Sequence, residues 1–180
     1  ISLRQQGRFG LALRAAAQDV ALDDSVSPTV DRASASRMAW AQTLLELGRA
    51  REAAAAFEAI AAVPVAYPGR PPLVLPAVAA RRRAWCLTLA ATAWAAAGDT
   101  TRLAALADSV AANGRLSGFG RDQKLAPYVH GLLYAARRDY AAAESAFRAA
   151  LYSPTDGYTR VNLALARVLR AERRPADAVP

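Results

Sequence analysis

Gly131-Leu132-Leu133-Tyr134-Ala135-Ala136-Arg137-Arg138-Asp139-Tyr140-Ala141-Ala142-Ala143-Glu144-Ser145-Ala146-Phe147-Arg148-Ala149-Ala150-Leu151-Tyr152-Ser153-Pro154 is the stretch that decides the fold. Gly131 and Tyr134 lie three apart before an Arg-Arg-Asp break, and Tyr140, Ala143, Phe147 and Ala150 follow at intervals of three and four. That spacing puts small and aromatic residues on the facing stripes of two antiparallel helices. Asp139 is placed to cap the second helix, and Pro154 stops it. Weaker echoes elsewhere in the chain imply a repeated two-helix unit.

Working outward, turn residues divide the chain into further helical segments. Gly7-Arg8-Phe9 precedes a run predicted to reach about Asp19, with a polar break from Asp23 to Ser27. Pro28 suits the first turn of a helix that stops at Gly48. The next, from Arg51 to about Ala62, places Ala54, Phe57 and Ile60 or Ala61 on one face. Pro64, Pro68, Pro71, Pro72 and Pro76 exclude regular helix from the loop that follows. A long helix is expected over Ala77–Ala97, ending at Gly98, and another from Asp99 or Thr100 to about Ala112 before Asn113-Gly114. Gly114 to Gly120 reads as a flexible connector to the hairpin of helices 123–137 and 140–152. Ser153 to Gly157 breaks the chain again before a helix over 158–171, and a last one begins near Pro175.

Aligned on their turns, these hairpins resemble tetratricopeptide repeats. The family pattern is a small residue in the first helix, a large apolar one three later, a Gly-Asp-Tyr-like turn, then Ala, an aromatic, Ala and Pro. The Gly131 hairpin follows it, with Arg138 in place of the turn glycine. Trp40, Ala41, Leu44, Gly48, Ala53, Phe57 and Pro64 form a second unit. Ala91, Trp94 and Gly98 keep the first half of a third, whose second helix has Leu103 and Ala107 instead. Ala166, Leu169 and Ala178 belong to a partial unit, and Gly7, Phe9 and Ala12 to a half unit. The turn positions Gly48, Gly98, Arg138 and Arg173 are 50, 40 and 35 residues apart, so the repeat is stretched. The resemblance implies an all-α, right-handed α–α superhelix, or solenoid, of antiparallel hairpins in a single domain over residues 1–180. Its parts would be a half repeat at 1–22, repeats at 28–63, 77–113 and 121–154 with a Pro-rich loop at 64–76, and a partial repeat at 157–180.

Composition agrees with helix. Roughly a quarter of the residues are alanine, the best helix former, and no alternating β-branched run occurs. The formal charge of +8 comes from 22 Arg and only Lys124 on the basic side, the amino-acid bias of a GC-rich genome. The arginines are scattered. Arg81-Arg82-Arg83 sweeps about 200° of a helix, so it forms no single stripe, and nucleic acid is not the expected partner. The single cysteine, Cys86, excludes an internal disulfide framework. The most apolar stretch, Ala84 to Ala97, is shorter than the ~20 residues of a membrane span. The chain begins at Ile1 and ends within a helical pattern at Pro180, which reads as a slice of a longer protein; a cytoplasmic location is expected.

No residue constellation asks for catalysis, a metal or a cofactor. His130 stands alone at a helix-packing position, Cys86 reads as a small buried hydrophobe, and Gly114–Gly120 lacks the Gly-Lys-Ser/Thr of a phosphate loop. The pairs Glu52/Glu58 and Asp23/Asp24 read as acids on helix surfaces. The expected function is binding. By the resemblance, first helices line a concave face, which brings Met38, Gln42, Trp85, Thr88, Thr92, Tyr128, Leu132, Arg160 and Arg167 inward. Trp85 and Tyr128 are equally suited to packing between repeats. Some members hold a peptide's terminal carboxylate with Lys, Arg and Asn; here Gln42, Thr92 and Leu132 occupy the comparable positions and depart from that clamp. Arg160 and Arg167, seven apart on one helix face, are left as the source of any acidic preference. The chain is therefore expected to be a non-enzymatic module holding a protein or peptide, similar to arrays appended to bacterial signalling proteins such as transcriptional activators and Ser/Thr kinases. A basic nucleic-acid-binding domain and a structural spacer for an attached catalytic domain are the alternatives.

Overall fold

The computed structural model describes residues 3–26, 30–63, 76–151 and 159–178. Among these every regular element is a helix: α1 Phe9–Val26, α2 Val30–Glu46, α3 Ala50–Ala62, α4 Pro76–Ala97, α5 Thr100–Leu116, the single turn α6 Gly120–Gln123, α7 Leu125–Ala136, α8 Tyr140–Ala150 and α9 Thr159–Ala171, followed by a 3₁₀ turn at Pro175–Ala178. Each helix packs mainly on its neighbours in sequence, and α7 also reaches back to α4 and forward to α9.

One turn recurs throughout. At Gly48 the backbone takes φ +78°, its N–H bonds to Leu45 O, and the N–H of Arg49 reaches back to Leu44 O. This is the reciprocal pair of bonds that satisfies the last carbonyls of a helix while reversing the chain. The same pair closes the segments at Gly7, Gly98, Arg138 and Arg173. Arg138 and Arg173 therefore hold the left-handed conformation without being glycine, at φ +63° and +62°. In two of these turns the next residue, Asp99 or Asp139, caps the following helix by accepting from the N–H of Arg102 or Ala142.

Positions counted from these turns are buried alike. Ala41, Ala91 and Gly131 precede them by the same interval, Ala53, Leu103 and Ala143 follow them by the same interval, and all are buried. Gly131 shows why the position stays small: a β-carbon there would lie 2.5 Å from the Phe147 ring. Among the described residues the core is organised in two clusters. Ala41, Leu44, Phe57 and Ile60 from α2 and α3 meet Cys86, Leu89, Ala90 and Ala93 of α4. Ala84 and Ala91, on another side of α4, join Leu103, Val110, Tyr128, Val129, Phe147, Val161 and Val168. α4 is thus buried on two faces, which explains why its apolar residues form no single stripe.

Several expected boundaries move. α1 continues through the predicted break at Asp23 because Asp23 accepts from Ser36 Oγ at 2.7 Å and Asp24 from Arg37 at 2.6 Å, fixing both acids against α2. Asn113-Gly114 does not end α5. Gly114 is an interior glycine, buried against α6, where a β-carbon would be 2.8 Å from the carbonyl oxygen of Asp122. The reversal falls at Gly118, φ +72°. The connector is accordingly half helix, with Ser117 Oγ donating to Gly114 O and accepting from the N–H of Phe119. Pro76 opens α4 instead of closing the loop, a position where its missing N–H costs nothing. The other loop prolines, Pro28 and the breaks at Ser27 and Ser153–Gly157 lie outside the described residues.

Candidate functional site

A cleft of about 600 Å³ opens between α4, α7, α8 and α9, with Leu45 of α2 at its edge. Its walls are Thr92, Ala95 and Ala96 of α4, Tyr128, Leu132, Ala135 and Ala136 of α7, Tyr140 and Phe147 of α8, and Arg160, Leu163, Ala164, Arg167, Val168 and Ala171 of α9. Small residues on α4 and α7 let the cleft exist, since alanine side chains leave a trough that leucines would fill. Thr92, Tyr128, Leu132, Arg160 and Arg167 of the sequence-derived binding set therefore converge here.

Tyr128 forms part of the floor. It is 2 % exposed, its ring centroid is 5.9 Å from that of Phe147, and its hydroxyl stands 3.3 Å from Thr92 Oγ1. Thr92 Oγ1 also donates to the carbonyl of Thr88 at 2.8 Å, which pins its rotamer. Burial pushes the Tyr128 phenol above its ordinary range, while Thr92 and the charges of Arg160 and Arg167 act in the opposite direction. Among the described residues neither Arg160 nor Arg167 forms a salt bridge. Among the described residues no carboxylate lines the cleft. At the end of α2, Arg4 holds the Glu46 carboxylate below the usual range through hydrogen bonds, and Arg160 adds a weaker pull.

Met38, Gln42, Trp85 and Thr88 do not line the cleft. Met38 packs against the α2–α4 core cluster. Gln42 Oε1 accepts from Arg4 Nη1 at 2.7 Å, so the N-terminal turn engages it. Thr88 is fully buried and donates to Ala84 O within its own helix. Trp85 serves packing: its indole N–H donates to Asp122 Oδ1 at 2.8 Å and Arg121 stacks over its ring. Leu45, Tyr140 and Leu163 were missed. Tyr140 belongs to a second helix, outside the first-helix register, whereas Leu163 stands ten residues before the Arg173 turn, as Met38, Thr88 and Tyr128 stand before theirs, so the repeat register itself points to it.

Other reactive groups are committed to packing. Cys86 is 1 % exposed and burial pushes its thiol up to about 11, with Arg82 opposing the shift, which leaves it protonated near neutrality. His130 is half-buried and stacks on Tyr134. Many arginines are paired: Arg37 with Asp24, Arg49 with Glu52, Arg148 with Glu144, and Arg174 with Glu144, Glu172 and Asp177. A smaller depression of about 430 Å³ lies between α1, α2 and α3, lined by Val20, Trp40, Ile60, Val63 and Arg37. Among the described residues no group of His, Cys, Asp or Glu is placed to hold a metal ion, and no helix is long and apolar enough to cross a membrane. No family model, curated protein or solved structure matches the chain.

Proposed function

We propose that this chain is a non-enzymatic protein-interaction module that holds a peptide segment of a partner in the α4–α7–α9 cleft. The observation that carries this reading is the convergence of Thr92, Tyr128, Leu132, Arg160 and Arg167, from three separate helices, on one open trough. Tyr and Arg are favoured anchors at interfaces, and a few polar groups in an apolar trough fix a ligand's orientation. The recurring turn and the equivalent buried positions support a tetratricopeptide-like solenoid, an architecture whose concave face serves binding. On that reading the module is the regulatory or scaffolding part of a larger bacterial signalling or transcription-regulatory protein.

Nucleic-acid binding draws less support, because Arg37, Arg49, Arg148 and Arg174 are each paired with an acid, at separate places along the chain.

Display of a random peptide library against the folded chain tests the reading, with the cleft-filling variant Ala96→Trp as the counter-target. Ala96 is exposed and lines the cleft, so the substitution blocks the trough without disturbing the core. Peptides enriched on the native chain and lost on Ala96→Trp are expected. Enrichment indifferent to the substitution, or none, defeats the proposal.

A further inference from the structure

The charge distribution in the cleft selects among possible occupants. Arg160 and Arg167 both line it, seven positions apart on α9, which separates their Cα atoms by about 10 Å along the helix axis. Leu163 lies between them and is 52 % exposed, an apolar contact flanked by two cations. Among the described residues no carboxylate lines the cleft to neutralise them, and neither arginine is in a salt bridge. The acid near Arg160, Glu46, is already bound through both carboxylate oxygens by Arg4. The walls are helices, whose interior backbone groups are satisfied within the helix, so the cleft offers no strand edge on which a ligand could extend a β-ladder. A bound segment must therefore keep a conformation that needs no ladder.

We infer that the occupant is an extended, polyproline-II-like peptide carrying two carboxylates three residues apart, one for Arg160 and one for Arg167, with an apolar residue between them. This deepens the binding reading above and rests on it. The polyproline-II helix has three residues per turn and a rise of about 3.1 Å, so side chains at i and i+3 emerge on the same side about 9 Å apart. That matches the axial separation of the two arginines. A β-strand places i and i+3 on opposite faces and i and i+2 only about 7 Å apart. The polyproline-II backbone remains solvated, which suits a trough open to water. Each arginine can take a carboxylate bidentately, and the apolar side chain between the acids meets the wall formed by Leu132 and Leu163.

Fluorescence anisotropy with a fluorescein-labelled ten-residue peptide bearing the core Glu-Pro-Leu-Glu tests the inference directly. Saturable binding is expected, weakened at least tenfold by Arg160→Ala, by Arg167→Ala, by glutamine at both acids, or by moving the acids next to each other. Exposed Arg51→Ala, on α3, should leave affinity unchanged, and raising salt from 50 to 300 mM should lower it. Circular dichroism of each variant confirms folding. Absence of saturable binding, or equal affinity for the glutamine peptide, overturns the inference. Cleft-dependent display peptides without paired acids would also overturn it while leaving the binding reading intact; a display selection with no cleft-dependent peptides would remove both.

Discussion

A β-carbon on Gly131 of α7 would stand 2.5 Å from Cδ1 and Cε1 of Phe147 on α8. Phe147 cannot easily yield, because it is fully buried and rests on Tyr128. Gly131→Ala gains about 1 kcal/mol of helix propensity but overpacks the core at a cost of about 1–3 kcal/mol. Net destabilisation of about 1 kcal/mol is expected in urea titrations. Adding Phe147→Leu should make Gly131→Ala less costly than it is alone, and a strictly additive double-mutant cycle would contradict the contact.

Asp122 and Trp85 form a second pair on which the fold depends. Asp122 is fully buried; Oδ1 accepts from the Trp85 indole, and among the described residues Oδ2 meets Arg81 at 3.7 Å, an ionic approach too long for a hydrogen bond. Trp85→Phe removes the donor and leaves a buried carboxylate underpaired, at a cost of about 2–3 kcal/mol. The double variant Trp85→Phe/Asp122→Leu, which removes both polar partners, should recover part of that loss. If Trp85→Phe is neutral in chemical denaturation, the pair does not anchor α6 to α4.

These two contacts mark what a sequence can and cannot disclose. The Gly131–Phe147 pair was legible because both residues are tied to a turn at fixed intervals, and Ala41 with Phe57 repeats the arrangement. The turn conformation at Arg138 was legible for the same reason, despite the absence of glycine. The Trp85–Asp122 bond was not, since nothing local distinguishes Asp122 from a surface acid. Asn113-Gly114 was misread because a glycine that ends a helix and one that admits another backbone look alike in a string. Asp23 and Asp24 looked like a break until Ser36 and Arg37 were seen to engage them. In the cleft, Thr92, Tyr128, Leu132 and Leu163 follow from repeat register, whereas Leu45 and Tyr140 depend on how the hairpins come together.

Arg4 joins the N-terminal turn to α2, donating through Nε to Glu46 Oε2 at 2.9 Å and through Nη1 to Gln42. The hydrogen bonds from Arg4 hold the Glu46 carboxyl below its ordinary value. A depressed folded-state pKa contributes stability that is present above the unfolded glutamate value and lost as pH falls through the folded one. Both side chains are about a third exposed, so solvent screening limits the contribution to about 0.5–1 kcal/mol. Arg4→Ala should lower the urea midpoint at pH 7, and the difference from the native chain should shrink towards pH 3. It should also shrink in 1 M salt at pH 7. A difference independent of both would mean that Arg4 acts through packing alone.

Arg138 offers the opposite case, a position at which the native residue is not the most stable one. It holds φ +63° in the α7–α8 turn, is exposed, and forms no salt bridge among the described residues. A residue with a β-carbon in the left-handed region costs roughly 1–2 kcal/mol, and glycine returns part of that gain through the greater entropy of its unfolded chain. Arg138→Gly should therefore stabilise the protein by about 0.5 kcal/mol. Arg138→Ala, which keeps the β-carbon, should give none of this gain. The reciprocal change Gly48→Ala, at φ +78° with open space around its β-carbon, should destabilise by a comparable amount through conformation alone. Urea midpoints for the three variants measure one backbone term at two equivalent turns, and equal stability of Arg138→Gly and Arg138→Ala would rule out left-handed strain at this turn.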